Sequence, residues 1–423
     1  MLQQRVAKLI QNRMGAWPVS AAFILPGGQR VGARDTAVTL EFKQPSAALE
    51  LARGRIGALG ELFVEGAIDL HGSLRDLMSL AAALLSRSPT ESPAGWWQAL
   101  RAQARSLRLH TRQRDAAQVQ FHYDVSDDFY ALWLDPLRVY SCAYYAQGAP
   151  DLAAAQQAKL DHICRKLMLR PGERLLDIGA GWGGLLLWAC EHYGVKATGV
   201  TLSKNQHAYL SRLIESKGLQ GRASVRLLDY RDLDEREPFD KIASVGMFEH
   251  VGRAHMGTYF GKVARLLRPG GLVLNHGITA GGTEHTQLGA GMGDFIEKYI
   301  FPGGELLHVS VLLQNLAQAG LEMVDTENLR PHYARTLWDW SDALEGRLEQ
   351  ARTILQRSAG AAHADKTLRA YRLYLAGSAM SFERGWISLH QMLATRPSRD
   401  LQQGALRGAQ SAYPFQRDYM YAP

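Results

Sequence analysis

The feature that most restricts what this chain can fold into is Arg174-Leu-Leu-Asp-Ile-Gly-Ala-Gly-Trp-Gly-Gly184, an apolar run that breaks into spaced glycines. Leu175, Leu176 and Ile178 read as a strand buried on both faces, and Leu185 to Cys190 as the apolar start of the next helix. Between them, Gly179, Gly181 and Gly183 remove Cβ atoms where a ligand would touch backbone, beside a helix N-terminus with unpaired N–H groups. The pattern is a strand turning sharply into a helix around a bound group, and an ordinary tight turn is the alternative.

Two cofactors suit such a turn. The spacing Gly179-x-Gly181-x-x-Gly184 satisfies the dinucleotide fingerprint, yet the second strand runs out as Gly199-Val-Thr-Leu-Ser-Lys-Asn-Gln206, with no carboxylate to hold a ribose. Asp177, just before the first glycine, suits the S-adenosylmethionine form instead, in which backbone meets a cationic amino-acid moiety. Residues 160–280 alternate strand and helix as a doubly wound parallel sheet requires, with strands expected at 174–179, 196–202, 223–229, 241–246 and 271–278. Gly179, Thr201, Asp229, Gly246 and His276 all fall at carboxyl ends of these strands, where such sheets bind ligands. Two further strands are expected near 321–328 and 386–394, and the aromatic, mostly helical stretch 285–385 is expected to cap the site.

Ahead of this domain, residues 1–85 read as a small α+β unit. Ala21 to Leu25, Pro26-Gly-Gly-Gln and a second short run suggest a hairpin, followed by a strand over 37–42 and a helix from Pro45. Ser73 to Leu85 carries an apolar stripe, and the unit is similar in pattern to sterol-carrier-like lipid-binding domains; a purely structural appendage is the alternative. Residues 86–114 form a linker and a basic segment in which Trp96 and Trp97 precede Arg101, Arg105 and Arg108 without an acid. That composition fits a membrane interface, or a solvated helix whose tryptophans pack on a neighbouring domain. A formal charge of +7 favours an anionic partner, a phospholipid surface or nucleic acid. Cys142, Cys164 and Cys190 are too few and scattered for a disulfide framework or a cysteine-rich zinc site, and no metal signature is found. With no signal-peptide pattern and no apolar run near the ~18–20 residues that span a bilayer, the expectation is a cytoplasmic enzyme peripheral to the inner face of the membrane.

Taken in order, several motifs resemble the cyclopropane-fatty-acyl-phospholipid synthase family and its mycolic-acid cyclopropane synthase relatives, over roughly residues 115–395. They are His122-Tyr-Asp-Val-Ser-Asp-Asp-Phe-Tyr130, Tyr140-Ser-Cys-Ala-Tyr-Tyr145, the glycine turn, Gly199 to Gln206, Met247-Phe-Glu-His-Val-Gly252 and Tyr299-Ile-Phe-Pro-Gly-Gly304. Ala180 stands where the family often has cysteine, and Asn275-His-Gly-Ile278 replaces its common His-Thr-Ile. The resemblance implies a Rossmann-like catalytic domain over 115–423 that transfers a methylene group from S-adenosylmethionine to a cis double bond of a phospholipid acyl chain. An alkene is a poor nucleophile, so the sulfonium methyl must be held in line within ~3–3.5 Å, without water, and a base must then take a proton from it so that the ring closes.

In the family that base is bicarbonate, held at positions matching Cys142, Glu249, His276, Ile278 and Tyr333. The cofactor positions match Tyr140 and Ser141 at the methionine end, Gly179 and Gly181 at the turn, Thr201, Leu202 and Gln206 near the ribose, and Asp229 with Tyr230 at the adenine. His250 reads as a packing or hydrogen-bonding residue. A methyl- or methylene-branching C-methyltransferase, an N-methyltransferase and a non-catalytic lipid-binding protein are the alternatives. Nucleic acid is disfavoured as partner because no Asp-Pro-Pro-Tyr type base-flipping motif occurs; a homodimer is left open. Replacing Arg101, Arg105 and Arg108 together is expected to weaken binding to anionic vesicles several-fold, and binding of the unaltered chain to fall with salt, both read by vesicle co-sedimentation.

Overall fold

Alternating apolar positions build the first of two sheets. The structure, a computed structural model, describes residues 17–53, 55–85, 89–90, 125–146, 149–283, 288–289, 291–398, 414 and 416–421, with Lys8 and Gln11. The basic segment with Trp96, Trp97 and its arginines lies outside the described residues, as do His122 to Asp124.

In the N-terminal unit, β1 (Ala21–Ile24) turns through Pro26-Gly-Gly into β2 (Arg30–Val31), and β3 (Val38–Phe42) pairs parallel with β1. Two helices follow, α1 (Pro45–Arg53) and α2 (Ile56–Val64), then β4 (Ile68–Gly72), antiparallel to β3, and α3 (Leu74–Leu84). Every second residue of β3 is buried, and α3 is capped by Ser73, whose hydroxyl accepts from the Asp76 amide at 3.1 Å. The sheet order is β2-β1-β3-β4.

The catalytic domain opens with the short α4 (Asp127–Ala131) and α5 (Leu152–Lys166). Its sheet is then laid down as β5 (Arg174–Ile178), α6 (Gly184–Tyr193), β6 (Lys196–Thr201), α7 (Lys204–Ser216), β7 (Ala223–Leu227), β8 (Phe239–Val245), α8 (Met256–Leu266) and β9 (Leu267–Ala280). After these come α9 (Met292–Tyr299), α10 (Val309–Gln318), β10 (Glu322–Asn328), α11 (Arg330–Glu345), α12 (Leu348–Ala359), α13 (Ala361–Glu383) and β11 (Ile387–Thr395). The seven strands lie in the order β10-β11-β9-β8-β5-β6-β7; β9 to β7 are parallel, and β11 runs antiparallel to both its neighbours. The switch between β5 and β8 places the carboxyl ends of both at one crevice.

The capping stretch is not one piece. Leu312 and Leu316 of α10 pack with Val263 and Phe260 of α8 against the sheet, and β10 completes its edge. The cap proper is α9 with its flanking loops, and α11 to α13, whose aromatic core holds Trp340, Tyr371 and Tyr374 together with Tyr130 and Trp133. The N-terminal unit docks on this cap. The Arg369 guanidinium of α13 donates to the carbonyls of Phe63 and Ile68 at 3.1 and 2.9 Å and to Asp69 at 2.6 Å, while Lys298 reaches Glu61 at 2.7 Å. No helix among the described residues is long and apolar enough to cross a membrane. Because Arg369 ties two carbonyls and a carboxylate of the N-terminal unit to the cap, Arg369→Ala is expected to cost about 2 kcal/mol and to make cleavage between the unit and the cap faster in limited proteolysis.

Candidate active site

Two cavities meet above the sheet. The first is a polar cleft walled by Gly179, Gly181, Thr201, Leu202 and Gln206 on one side and Asp229, Tyr230, Tyr140 and Ser141 on the other, so that every residue matched to the cofactor lies on it. The glycines differ in purpose. Gly179 and Gly181 have positive φ of 83° and 56°, and a Cβ on Gly181 would meet nothing within 4 Å, so its backbone faces open cleft. A Cβ on Gly183 would instead overlap Leu210 of α7, so this glycine serves helix packing. The Thr201 hydroxyl donates to the Gln206 side chain at 2.9 Å. Asp229 is held in bidentate fashion by Arg231, at 2.9 and 2.6 Å, a partner not anticipated from the sequence. Asp177 lies beneath the cleft, where burial raises its carboxyl to about 7 although Lys159 opposes the shift.

The segment 137–143 is the wall between the cavities, and it is pinned from behind. Asp135 accepts from the amides of Leu137 and Val139 at 2.8 and 2.9 Å, and Gln156 donates to the carbonyls of Val139 and Ser141 at 3.1 and 2.8 Å. Lys159 donates to the Ser141 hydroxyl at 2.8 Å, and Thr336 accepts from the Ala143 amide at 3.0 Å. Cys142 is fully buried, and burial pushes its thiol well up, so it stays protonated and contributes backbone rather than a nucleophile.

The second cavity, of about 290 Å³, is largely apolar, and Cys142, Glu249, His276, Ile278 and Tyr333 all border it. Glu249 sits in the turn Phe248–His250 after β8; its Oε1 accepts from the Ile278 amide at 2.7 Å, and its buried Oε2 has no partner among the described residues. The Ile278 amide is thus engaged by Glu249 in this structure. Burial raises the Glu249 carboxyl to about 7, while the Ile278 amide works the other way. Gly277 is what lets this carboxylate approach β9, since a Cβ there would overlap the Phe248 ring and come within 2.7 Å of Oε1.

His276 is only 1% exposed, and its Nε2 likewise has no partner among the described residues. Its protonation follows from a row of side chains across three strands, because His276 pairs with Gln391 on β11, which pairs with Glu327 on β10. Lys166 of α5 can only donate, and it does so to Gln391 Oε1 at 2.8 Å; Gln391 Nε2 must therefore donate to His276 Nδ1, 3.1 Å away. Burial, with Lys159 and Lys166 adding to it, drives the His276 pKa well down, so the neutral ring carries its hydrogen on Nε2, the atom left without a partner among the described residues. Glu327 closes the row, accepting from Lys166 and facing His162 Nε2 at 2.8 Å. Burial acts to raise the Glu327 carboxyl, but these two partners outweigh it and hold it at about 2.

Lys159, His162, Lys166, Gln391 and Glu327 were not singled out by sequence reasoning, and neither was Arg231. The three on α5 recur every three to four residues on one helix face, a spacing ordinarily read as a solvated stripe. His250, read as a packing or hydrogen-bonding residue, borders both cavities.

A glycine-walled cleft at the switch point of a doubly wound sheet defines a class, the S-adenosylmethionine-dependent methyltransferases. The chain aligns with a solved mycolic acid cyclopropane synthase complexed with S-adenosylhomocysteine and CTAB, at TM-score 0.59 and 35% identity over 66% of this chain and 98% of that one. More particularly, the chain belongs to the mycolic acid cyclopropane synthetase family, whose model matches residues 110–392. It is 43% identical over 367 residues to the "Probable fatty acid methyltransferase" of Pseudomonas putida, covering 86% of this chain and 88% of the relative. It is 38% identical over 283 residues to "Cyclopropane mycolic acid synthase 1" of Mycobacterium tuberculosis, covering 65% and 95%. The Pseudomonas match is longer than the stretch from residue 110 to the end, so it takes in part of the N-terminal unit.

Gln391→Glu offers His276 an acceptor in place of a donor. It is expected to move the ring hydrogen to Nδ1, visible in ¹⁵N NMR of the imidazole, and to slow turnover about 100-fold while cofactor affinity stays within about twofold.

Proposed function

We propose that this chain transfers a methylene group from S-adenosylmethionine to the cis double bond of an unsaturated phospholipid acyl chain, closing a cyclopropane ring, with bicarbonate as base. The observation that carries the reading is the pair of unpartnered buried atoms, Glu249 Oε2 and His276 Nε2, on two residues that border one apolar cavity, which shares Tyr140, Ser141, Gly246 and His250 with the cofactor cleft.

One acceptor and one N–H donor, both buried, fit an ion that has a hydroxyl to give and an oxyanion to be held. When bound, S-adenosylmethionine supplies an electrophilic methyl and bicarbonate a base. The residues do the rest. Glu249 orients the anion through its hydroxyl, and His276 donates to its oxygen from a ring locked by Gln391. Tyr140, Tyr333 and Tyr374 turn aromatic rings toward the same space, which suits positive charge developing on the acyl carbons without offering a nucleophile to trap it. The apolar lining excludes water, as an acyl chain requires. The net positive charge of +7 supports an anionic lipid surface as the source of that chain.

A second reading, a methyl or methylene branch in place of the ring, draws support from the name of the Pseudomonas relative. Incubation with S-adenosylmethionine and phospholipid vesicles bearing cis-unsaturated chains, with and without bicarbonate, separates the two, because ring protons are distinct in proton NMR of the product. No modified lipid under either condition would overturn both.

Since the Glu249 carboxyl titrates near 7 and must be ionised to accept, turnover is expected to rise between about pH 6 and pH 8, and Glu249→Gln to lose about 100-fold in turnover with cofactor affinity unchanged. Its raised value also makes ionisation costly to the fold. The stability associated with the protonated carboxyl is complete below 4.5 and is lost as pH rises through about 7, so Glu249→Gln is expected to melt above the unaltered chain at about pH 8 and level with it at about pH 4.

A further inference from the structure

The apolar cavity does not end in the catalytic domain. From Glu249 and His276 it continues past Phe295 and Met380 of the cap into the N-terminal unit, where Leu40, Leu51, Phe63, Ile68 and Leu80 border it. Those last five also belong to the unit's own buried core, each no more than 7% exposed. Protein interiors are packed to crystal density, and an apolar void inside so small a core forfeits dispersion contacts that collapse or a larger side chain would recover. A void retained there, in one space with the reaction centre, is accounted for by a guest.

The walls select the guest. Where unit and cap meet, backbone lies on backbone: a Cβ on Gly57 of α2 would come within 2.5 Å of the Gly291 Cα, and one on Gly291 within 2.9 Å of the Gly57 Cα. This close approach seals the joint beside the cavity, and Ile56, Gly60, Met78 and Ala81 give its inner lining a hydrocarbon character. A phosphate headgroup would lose its hydration there without finding partners, whereas the methyl end of an acyl chain loses nothing.

We infer that the N-terminal unit is the distal acyl-binding site: it receives the methyl end of the chain whose double bond lies at Glu249 and His276, and its depth sets how many carbons can follow that bond. The inference rests on the proposed acyl-chain substrate and adds to it a residence for the tail and a determinant of chain selection.

Photo-crosslinking tests it on the full-length chain without turnover. Phosphatidylglycerol vesicles whose acyl chains carry a diazirine at the methyl end are mixed with the protein and irradiated, and adducts are mapped by mass spectrometry. Adducts concentrated on residues 56–84 are expected; adducts confined to residues 125–398, or none on 56–84, would overturn the inference. A competition assay gives a second readout, with vesicle lipids in which the cis bond is followed by about four, six or eight carbons. Ala81→Phe, which fills the chamber, is expected to lower the ratio of longest-tail to shortest-tail turnover at least tenfold, and Leu77→Ala to raise it. Proportional loss on all three chains would refute a chain-selecting role. Failure of the catalytic reading looks different: adducts would still map to 56–84 while no chain of any length was modified.

Discussion

The active site depends on a row of three side chains, His276, Gln391 and Glu327, lying across adjacent strands of the sheet. Because β11 runs antiparallel between β9 and β10, the register puts the amide next to the imidazole and the carboxylate next to the amide. Lys166 and His162 descend on this row from α5, both fully buried, and burying such groups costs several kcal/mol each unless partners compensate. Here both side chains have Glu327 as partner, and the amide between has a fixed sense. The return on that expenditure is a histidine with one defined hydrogen.

The same helix serves the other cavity. One and two turns before His162, Lys159 and Gln156 hold Ser141 and the carbonyls around it, so α5 braces the wall between the two cavities as well as the row behind His276. In the proposed reaction a methyl group passing from sulfur to carbon would cross that wall's edge, where small displacements translate into large changes in rate. Rigid support comes from hydrogen bonds to backbone, which cannot be traded for rotamer changes.

Much of this was legible in the chain. The glycine turn, the strand-helix alternation and the switch-point rule located the sheet to within a few residues at each strand, since buried parallel strands are long apolar runs with sharp ends. The nine positions matched to the cofactor and the five matched to the anion each came to one cavity through motifs in order, not through spacing alone. What could not be read was lateral. Gln391 is an unremarkable amide in an apolar strand, and only the antiparallel register gives it His276 as a neighbour. Lys159, His162 and Lys166 look like solvent-facing charges until the sheet covers them. Gly277 read only as part of the departure from the common His-Thr-Ile, yet a Cβ there would take the space Phe248 and Glu249 occupy. The continuity of the cavity into the N-terminal unit belongs to docking, which no local pattern encodes.

Asp177 and Lys159 are both buried under the cofactor cleft, where burial moves the carboxyl up to about 7 and the ammonium down to about 8, each toward its neutral form. A positive charge above such a floor favours the carboxylate, and an uncharged group there does not. The charge of the floor therefore follows the charge of what lies over it, although both residues belong to the interior of the fold.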